Sequence, residues 1–552
     1  MSHNIVVVGG VAGGMSAAAR LRRLDESAHI TVLERGPYVS FANCGLPYYV
    51  SGEIAEESDL LLQTPQSLHD SLNLDVRVHH AVTAIDADAH KLLVTSPDGT
   101  QEVSYDALIL TPGALPARLP IPGINHRCVH TLRSVDDAIA LRAQAQLGGS
   151  AVILGAGFIG LEASEALANQ GLDVHVVEYA PQVLPPLEKE LAWLVAKEMD
   201  RLAIKVKVKV AASSITDHDG RAVVALSDGT TIKADIVVVA VGTAADTAVF
   251  EAAGLACERG YILIDERGRT NLADVYAAGD ATVSVDAITG VQRSVQLAGP
   301  ANRAGRLVAD AIGSRSGRAI PKPLSSAIVR VGSLTAAMTG ANRASLDRAG
   351  IDYVSIHTHP GSHAGYFPGA KTMHLITHID PVTGRILGAQ GVGEDGIDKR
   401  IDILATAIRG GLSAPDLIDL DLCYSPPYGS AKDAVNMIGM VAENVLTGQT
   451  RLWYAEQIDW ACGDDVLLLD VRSATEFESG HVTGAINIPH TELRSRLDEV
   501  RELAAGRWIA VMCHSGVRSY IGHRILKSAG FESSSLSGGI LTLQAWMGQV
   551  SH

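Results

Sequence analysis

The chain has 552 residues, enough for three or four domains with sizeable cores, and an ordinary globular composition with 47% hydrophobic and 19% charged residues. Its formal net charge of −16 argues against non-specific nucleic-acid binding, so any polyanionic cofactor must be gathered by local groups, namely helix N-termini and individual arginines. The six cysteines, Cys44, Cys128, Cys257, Cys423, Cys462 and Cys513, form no CxxC pair and no Cys/His cluster at zinc spacing, so no metal is expected and a reducing compartment fits.

Met1-Ser2-His3-Asn4 runs straight into the apolar stretch Ile5 to Val8, leaving no room for a signal peptide, and no apolar run approaches a membrane span. A cytoplasmic protein is expected. The strand Ile5 to Val8 ends at Gly9-Gly10-Val11-Ala12-Gly13-Gly14; a helix over Met15 to Leu24 and a strand over His29 to Leu33 follow, closing on Glu34. Such a turn lets a pyrophosphate approach backbone N–H groups at a helix N-terminus, with an acid about twenty residues later for a ribose hydroxyl. Gly9 and Gly14 hold the first and third glycine positions, while Val11 stands at the second.

Ser40-Phe41-Ala42-Asn43-Cys44-Gly45-Leu46-Pro47-Tyr48-Tyr49 comes next, with one cysteine and no second within ten residues on either side. A lone thiol is ordinarily a small core residue. Placed just after a nucleotide unit, it becomes a candidate redox group. The same βαβ pattern recurs at Ala151 to Glu178, this time with all three glycines, Gly155, Gly157 and Gly160. Glu178 disfavours a 2′-phosphate, and Tyr179 and Ala180 supply no arginine to reverse that, so NADH is expected over NADPH.

Two dinucleotide sites in one chain point to a flavin reduced by a nicotinamide. With them the sequence resembles the two-dinucleotide-binding flavoprotein disulfide reductases. Leu110-Thr111-Pro112-Gly113-Ala114 looks like the strand-turn that returns to the flavin, and Thr270 to Asp280 like the family's second flavin motif, ending on Asp280. The resemblance implies FAD and NADH as cofactors, with Gly10, Arg35, Thr111, Gly113 and Gly242 added to the glycines and acids of the cofactor sites. The paired cysteines of glutathione-reductase-like enzymes are missing, since Val39 and Tyr49 flank the segment. A single cysteine in Ser-Phe-x-Asn-Cys-Gly-Leu-Pro-Tyr-Tyr instead resembles coenzyme A-disulfide reductases and the related NADH oxidases and persulfide reductases.

In such enzymes the cysteine, here Cys44, cycles through a mixed disulfide with a small thiol. Coenzyme A needs cations for its phosphates; Arg20, Arg22 and Arg23 sit on the first helix, and by resemblance Arg20 and Arg23 face the ligand. Ser40, Asn43 and Asn302 join the expected substrate contacts.

From about Ser325 the stretches 328–332, 336–340, 371–377 and 385–390 read as antiparallel strands, followed by helices near 398–410 and 414–417. This part resembles the family's dimerisation domain, implying a homodimer with shared active sites. By motif position Tyr366 and Tyr424 match tyrosines directed at the neighbouring subunit's cysteine, and Lys432 a coenzyme A contact; Tyr428 is expected as a packed ring. A phenol can donate a proton to a leaving thiolate.

A glycine stop at Gly448 sets a boundary near 450. Beyond it, strands at Val466–Arg472 and Trp508–Met512 lead into Cys513-His514-Ser515-Gly516-Val517-Arg518-Ser519. A strand, a cysteine, a short polar loop and a closing arginine before a helix make a nest of N–H groups that lowers a thiol's pKa and holds an anion. The segment resembles a rhodanese domain; four residues between Cys513 and Arg518, against five in cysteine phosphatases, suit a persulfide. Asp470 and Arg472 are expected to brace this loop. Cys128, Cys257, Cys423 and Cys462 carry no motif and are expected as packing residues.

The fold expected is α/β: FAD domain 1–118 with 250–324, NAD domain 119–249, α+β dimerisation domain 325–450, and rhodanese-like domain 453–552. The function expected is NADH-driven reduction of coenzyme A persulfide, polysulfide or disulfide through FAD and Cys44, with Cys513 handling sulfane sulfur. Two alternatives stay open: an NADH oxidase working through a Cys44 sulfenic acid, and a redox-gated sulfurtransferase.

Overall fold

The computed structural model of the protein describes residues 3–313 and 318–548. Positions 1–2, 314–317 and 549–552, assigned above to the FAD and rhodanese segments, lie outside the described residues. The chain divides into two units, Met1–Pro181 with Asp200–Ser325, and Gln182–Met199 with Ser326–His552.

The first unit holds two parallel sheets. Strand β1 (Asn4–Val8), helix α1 (Ala12–Leu24) and strand β2 (His29–Leu33) open it. The short helix α2 (Leu46–Ser51) and strands β3 (Asp75–Arg77) and β4 (Ala107–Leu110) follow. Residues 5–8 are buried on both faces, which is why a central parallel strand reads as an unbroken apolar run. The chain then builds a second sheet from β5 (Val129–His130), β6 (Ser150–Leu154), helix α3 (Phe158–Asn169), β7 (Asp173–Val177), β8 (Lys205–Lys207) and β9 (Ile236–Val239). Its order is β8-β7-β6-β9-β5. Strand β10 (Val275–Ala277) returns to pair with β4, completing the first sheet as β10-β4-β1-β2-β3. Helix α4 (Ala298–Ile312) then packs on α1. A Cβ on Gly305 would overlap the carbonyl of Gly13, so the two helices meet backbone to backbone there. Two three-stranded antiparallel sheets, within residues 81–104 and 212–234, had no counterpart in the sequence reading.

In the second unit β11 (Ala327–Val331), β12 (Leu334–Gly340), β13 (Val354–Thr358), β14 (Met373–Ile379) and β15 (Ile386–Gly393) form an antiparallel sheet ordered β11-β12-β15-β14-β13. Helices α5 (Ile397–Gly410) and α6 (Ala434–Leu446) cover it. The helix expected at 414–417 is a 3-10 turn, Pro415–Asp419, with Asp416 accepting from the Ser413 N–H ahead of it. Five residues led by proline close one tight turn but cannot propagate a helix.

The C-terminal part is a parallel sheet of β16 (Leu452–Trp453), β17 (Val466–Asp470), β18 (Ile486–Asn487), β19 (Trp508–Met512) and β20 (Ser533–Leu536), ordered β16-β20-β19-β17-β18. Helix α7 (Val517–Ser528) precedes β20 and helix α8 (Gly539–Gly548) follows it. Among the described residues no helix is long and apolar enough to cross a membrane.

Candidate active site

The first glycine turn is shaped by exclusion. Gly9 has a φ of +100°, and a Cβ there would run into the Thr111 carbonyl; one on Gly14 would overlap the Gly9 carbonyl. Only glycine fits at either position. The Glu34 carboxylate accepts from the N–H of Gly10 at 2.8 Å and of Gly36 at 2.7 Å, and Thr111 Oγ1 donates to the Val8 carbonyl at 2.7 Å. Arg35 is ion-paired with Asp246. Glu178 repeats the device in the second turn, accepting from the N–H of Ala156 at 2.6 Å and of Ala180 at 2.7 Å. A Cβ on Gly160 would overlap the Gly155 carbonyl, whereas one on Gly157 would meet open space. Gly242, just past β9, has a φ of +108° and is also open around its Cα.

The thiol segment hangs from the first turn, because the Ser40 N–H donates to the Gly10 carbonyl at 2.8 Å. Ser40 takes a φ of 50°, a left-handed conformation that turns the chain toward the 3-10 turn Asn43–Gly45. Cys44 is exposed there and lines a cavity of about 900 Å³. Ser40, Asn43, Arg20, Arg23 and Asn302 line the same cavity. Arg20 also pairs with Asp310 at 2.7 Å, and Ser16 donates to Asn302 at 2.5 Å. Arg22 is buried and spends its guanidinium on five backbone carbonyls, those of Leu72, Asn73, Asp25, Glu26 and Ala28. The cavity further holds Arg303 and Arg306, which the sequence reading missed.

Although its surface is open to the cavity, partial desolvation by the cavity walls pushes the Cys44 thiol upward, the charges of Glu162 and Asp280 add to that, and Arg133 opposes it. Burial likewise raises the Asp280 carboxyl against the pull of Arg133. Arg133 Nη2 would lie 3.2 Å from a Cβ on Gly113, so this one guanidinium sits beside the turn after β4 as well.

In the second unit Tyr366 and Tyr424 meet hydroxyl to hydroxyl at 2.7 Å, with the rings 76% and 47% exposed. Their loops are fixed together: the Ala364 N–H donates to the Gly429 carbonyl at 2.8 Å, and buried Arg400 reaches both the Ser362 carbonyl at 3.0 Å and Asp433 at 2.6 Å. Lys432 is exposed immediately before Asp433, the N-cap of α6. Tyr428 is 73% exposed, so the packed ring expected for it is wrong; it sits on the turn Ser425–Gly429 that faces away from the core. Cys423 and Cys462 are exposed too, which corrects their reading as packing residues, while Cys128 is buried in one core cluster and Cys257 lies partly buried against a different one.

Cys513 directly follows β19 and is only 1% exposed. Its sulfur accepts from the Gly516 N–H at 3.2 Å and lies 3.3 Å from Ser519 Oγ, which Ser535 in turn supports at 3.0 Å. Arg518 falls inside the first turn of α7 rather than before it, and grips Glu476 through two bonds of 2.6 and 2.7 Å. That pairing holds the Glu476 carboxyl well below the usual range. Asp470 and Arg472 form a buried pair at 2.8 Å that sets residues 470–472, whose Val471 N–H donates to the Met512 carbonyl beside Cys513.

Residues 3–305 match the pyridine nucleotide-disulphide oxidoreductase family, residues 326–435 that family's dimerisation domain, and residues 452–545 the rhodanese-like domain. The chain is 32% identical to a coenzyme A disulfide reductase of Staphylococcus haemolyticus over 451 residues, 80% of this chain and 100% of that protein. The crystal structure of reduced Bacillus anthracis CoADR-RHD and the structure of an NAD-dependent persulfide reductase from A. fulgidus superpose with TM-scores of 0.96 and 0.90. They are 38% and 36% identical, covering 100% and 98% of this chain and 99% of each of theirs. A glycine-shaped nucleotide turn, a single thiol hung from it and these matches along the chain lead to one assignment: the protein belongs to the pyridine nucleotide-disulphide oxidoreductase family and carries a C-terminal rhodanese-like domain.

Proposed function

We propose that this chain is an NADH-dependent flavoprotein that reduces coenzyme A persulfide, polysulfide or coenzyme A disulfide through Cys44, with Cys513 handling sulfane sulfur. The observation that carries this reading is the cavity that Cys44 shares with Arg20, Arg23, Arg303 and Arg306. A 3′-phosphate and a pyrophosphate need several cations, and among the described residues Arg23, Arg303 and Arg306 have no ion pair. Names borne by similar proteins, a coenzyme A disulfide reductase and a persulfide reductase, point the same way.

The family brings FAD and a nicotinamide dinucleotide, and the residues fit both. Gly9, Gly10, Gly14, Glu34, Arg35, Thr111, Gly113 and Asp280 would hold the flavin; Gly155, Gly157, Gly160, Glu178 and Gly242 would hold the nicotinamide cofactor. The open space at Gly157, where any side chain would protrude, is what a pyrophosphate approach requires. Glu178 favours the free ribose hydroxyls of NADH. FAD, once bound and reduced by NADH, supplies the electron pair that returns a Cys44 disulfide to the thiolate.

The Cys44 thiolate attacks the coenzyme A sulfur of a persulfide, forming the Cys44–coenzyme A disulfide while the terminal sulfur leaves as hydrosulfide with the bonding pair. Two electrons then release coenzyme A and restore Cys44. With coenzyme A disulfide the first leaving group is a coenzyme A thiolate. Ser40 and Asn43 orient the incoming thiol. In the homodimer that the dimerisation domain supports, Tyr366 and Tyr424 donate to the departing thiolate at the neighbouring subunit's cysteine, and Lys432 contacts coenzyme A. In the rhodanese-like domain the Cys513 thiolate attacks the sulfane sulfur of a donor, whose remainder leaves with the bonding pair, and the resulting persulfide yields its outer sulfur to an acceptor thiolate as the Cys513 thiolate departs. A reducing, cytoplasmic setting suits this chemistry.

Anaerobic NADH oxidation with coenzyme A persulfide, compared with the disulfide, tests it. Turnover with one hydrosulfide per NADH, lost in Cys44→Ser, is the expected result. Full turnover by Cys44→Ser, or turnover only when oxygen is admitted, overturns it.

A further inference from the structure

The loop that carries Cys513 is held by residues of the neighbouring antiparallel sheet. Helix α8 begins by donating its Ile540 N–H to the Cys513 carbonyl at 2.8 Å and its Leu541 N–H to the His514 carbonyl at 3.1 Å. The turn that launches α8, Ser537-Gly538-Gly539, is packed so closely that a Cβ on Gly539 would lie 2.5 Å from the Cys513 carbonyl oxygen. Whatever fixes residues 537–542 therefore fixes the cysteine loop.

Two histidines, His357 in β13 and His359 just past it, do so. His357 Nδ1 lies 2.8 Å from Ser537 Oγ, and His359 Nε2 lies 2.8 Å from Thr542 Oγ1. A Cβ on Gly538 would come within 2.7 Å of His357 Cβ and 2.9 Å of His359 Nε2, so the turn is pressed against both rings. His357 is itself braced, with Glu190 3.2 Å and Arg343 3.0 Å from its Nε2, and Arg343 pairs with Glu190 at 2.9 Å. His359 stands edge-on to His374, ring centroids 4.8 Å apart.

We infer that His357 and His359 are positioning residues for Cys513: they lock the Ser537–Thr542 segment, and through the two α8 N–H groups they set the geometry and access of the sulfur-carrying loop. A thiol only 1% exposed leaves little slack, because a small shift of its loop changes both the Gly516 N–H···S bond and the approach of a sulfur donor. This rests on the reading of Cys513 as a sulfane-sulfur carrier, and on no property of Cys44.

The test uses the full-length holoenzyme with thiosulfate as donor and cyanide as acceptor. The Cys513 thiolate takes the outer sulfur as sulfite departs with the bonding pair, and cyanide removes that sulfur as thiocyanate. His359→Ala and Thr542→Val are each expected to lower kcat for sulfur transfer roughly tenfold or more. The double variant loses no more than either single, as a shared bond demands. His359→Gln, which keeps a hydrogen-bonding side chain toward Thr542, recovers most of the rate, and NADH-dependent disulfide reduction stays within about twofold throughout. The rate of Cys513 alkylation by iodoacetamide, read by peptide mass, is expected to change with kcat in the same variants. Unchanged transfer and alkylation in His359→Ala, or additive losses, overturn the inference. A wild-type enzyme that transfers no sulfur overturns the sulfur-carrier reading instead, and the alkylation rates still decide the positioning role. Should His359→Ala fail to fold, Thr542→Val and His359→Gln give the same comparison.

Discussion

Arg400 and Asp433, each nearly wholly buried, face one another at 2.6 Å beneath the two tyrosine loops. One guanidinium thus ties the Ser362 carbonyl, four residues ahead of Tyr366, to the N-cap of α6. Removing one partner of such a pair strands a buried charge, which typically costs about 3–5 kcal/mol. Arg400→Met is expected to destabilise the second unit on that scale, seen as earlier local unfolding in hydrogen exchange across 360–373 and 425–440. Protection equal to the wild type would show that the pair carries no such weight.

In the proposed reaction the Tyr366–Tyr424 contact makes the two phenols one proton-donating unit. Replacing either by phenylalanine is expected to cut disulfide turnover by about 10²-fold, the lower range for general acid catalysis. Since the hydroxyls share a bond, the double variant should lose little beyond either single, which steady-state kinetics in a double-mutant cycle reads directly.

The pH dependence of Cys44 follows from its neighbours. Its thiol is pushed up by burial first and then by Glu162 and Asp280, so thiolate accumulates only at higher pH than for an ordinary cysteine. Removing the Glu162 charge lowers that pKa. In the holoenzyme, Glu162→Gln should therefore move the rising limb of Cys44 alkylation against pH toward acid, and a limb that stays in place or moves toward alkali excludes a charge effect of Glu162 on this thiol.

Arginine truncation separates binding from chemistry. Hydrogen bonds to charged groups contribute about 1.5–3 kcal/mol each, so Arg23→Ala or Arg306→Ala should raise KM for coenzyme A disulfide by roughly 10–100-fold. Pantetheine disulfide, which lacks the phosphates those arginines would meet, should be reduced as well as by the wild type.

Local signals carried the sequence reading a long way. Both glycine turns, the strands His29–Leu33 and Asp173–Val177, and the cysteine loop after Met512 stand where short-range pattern placed them, because turn sterics and buried parallel strands write themselves into a few adjacent residues. Arg303 and Arg306 escaped notice for the opposite reason. They reach the cavity only because α4 packs on α1 through Gly13 and Gly305, a meeting of segments almost three hundred residues apart. Strand β13 was missed because its buried positions are Ser355, His357 and Thr358 as well as Ile356, and polar residues satisfied by long-range partners break the apolar rhythm on which strand recognition depends.

The bond from the Ser40 N–H to the Gly10 carbonyl gives the nucleotide turn and the thiol a common anchor. The arginines of the Cys44 cavity divide between α1, which grows out of that turn, and α4, which arrives from elsewhere in the chain. Substitutions at Arg303 and Arg306 leave that anchor in place, provided the Gly13–Gly305 contact between the helices is kept. On the proposed function, a lineage with this framework has a ready route to new electron acceptors: it can exchange what docks beside the sulfur while the tie between thiol and glycine turn is inherited unchanged.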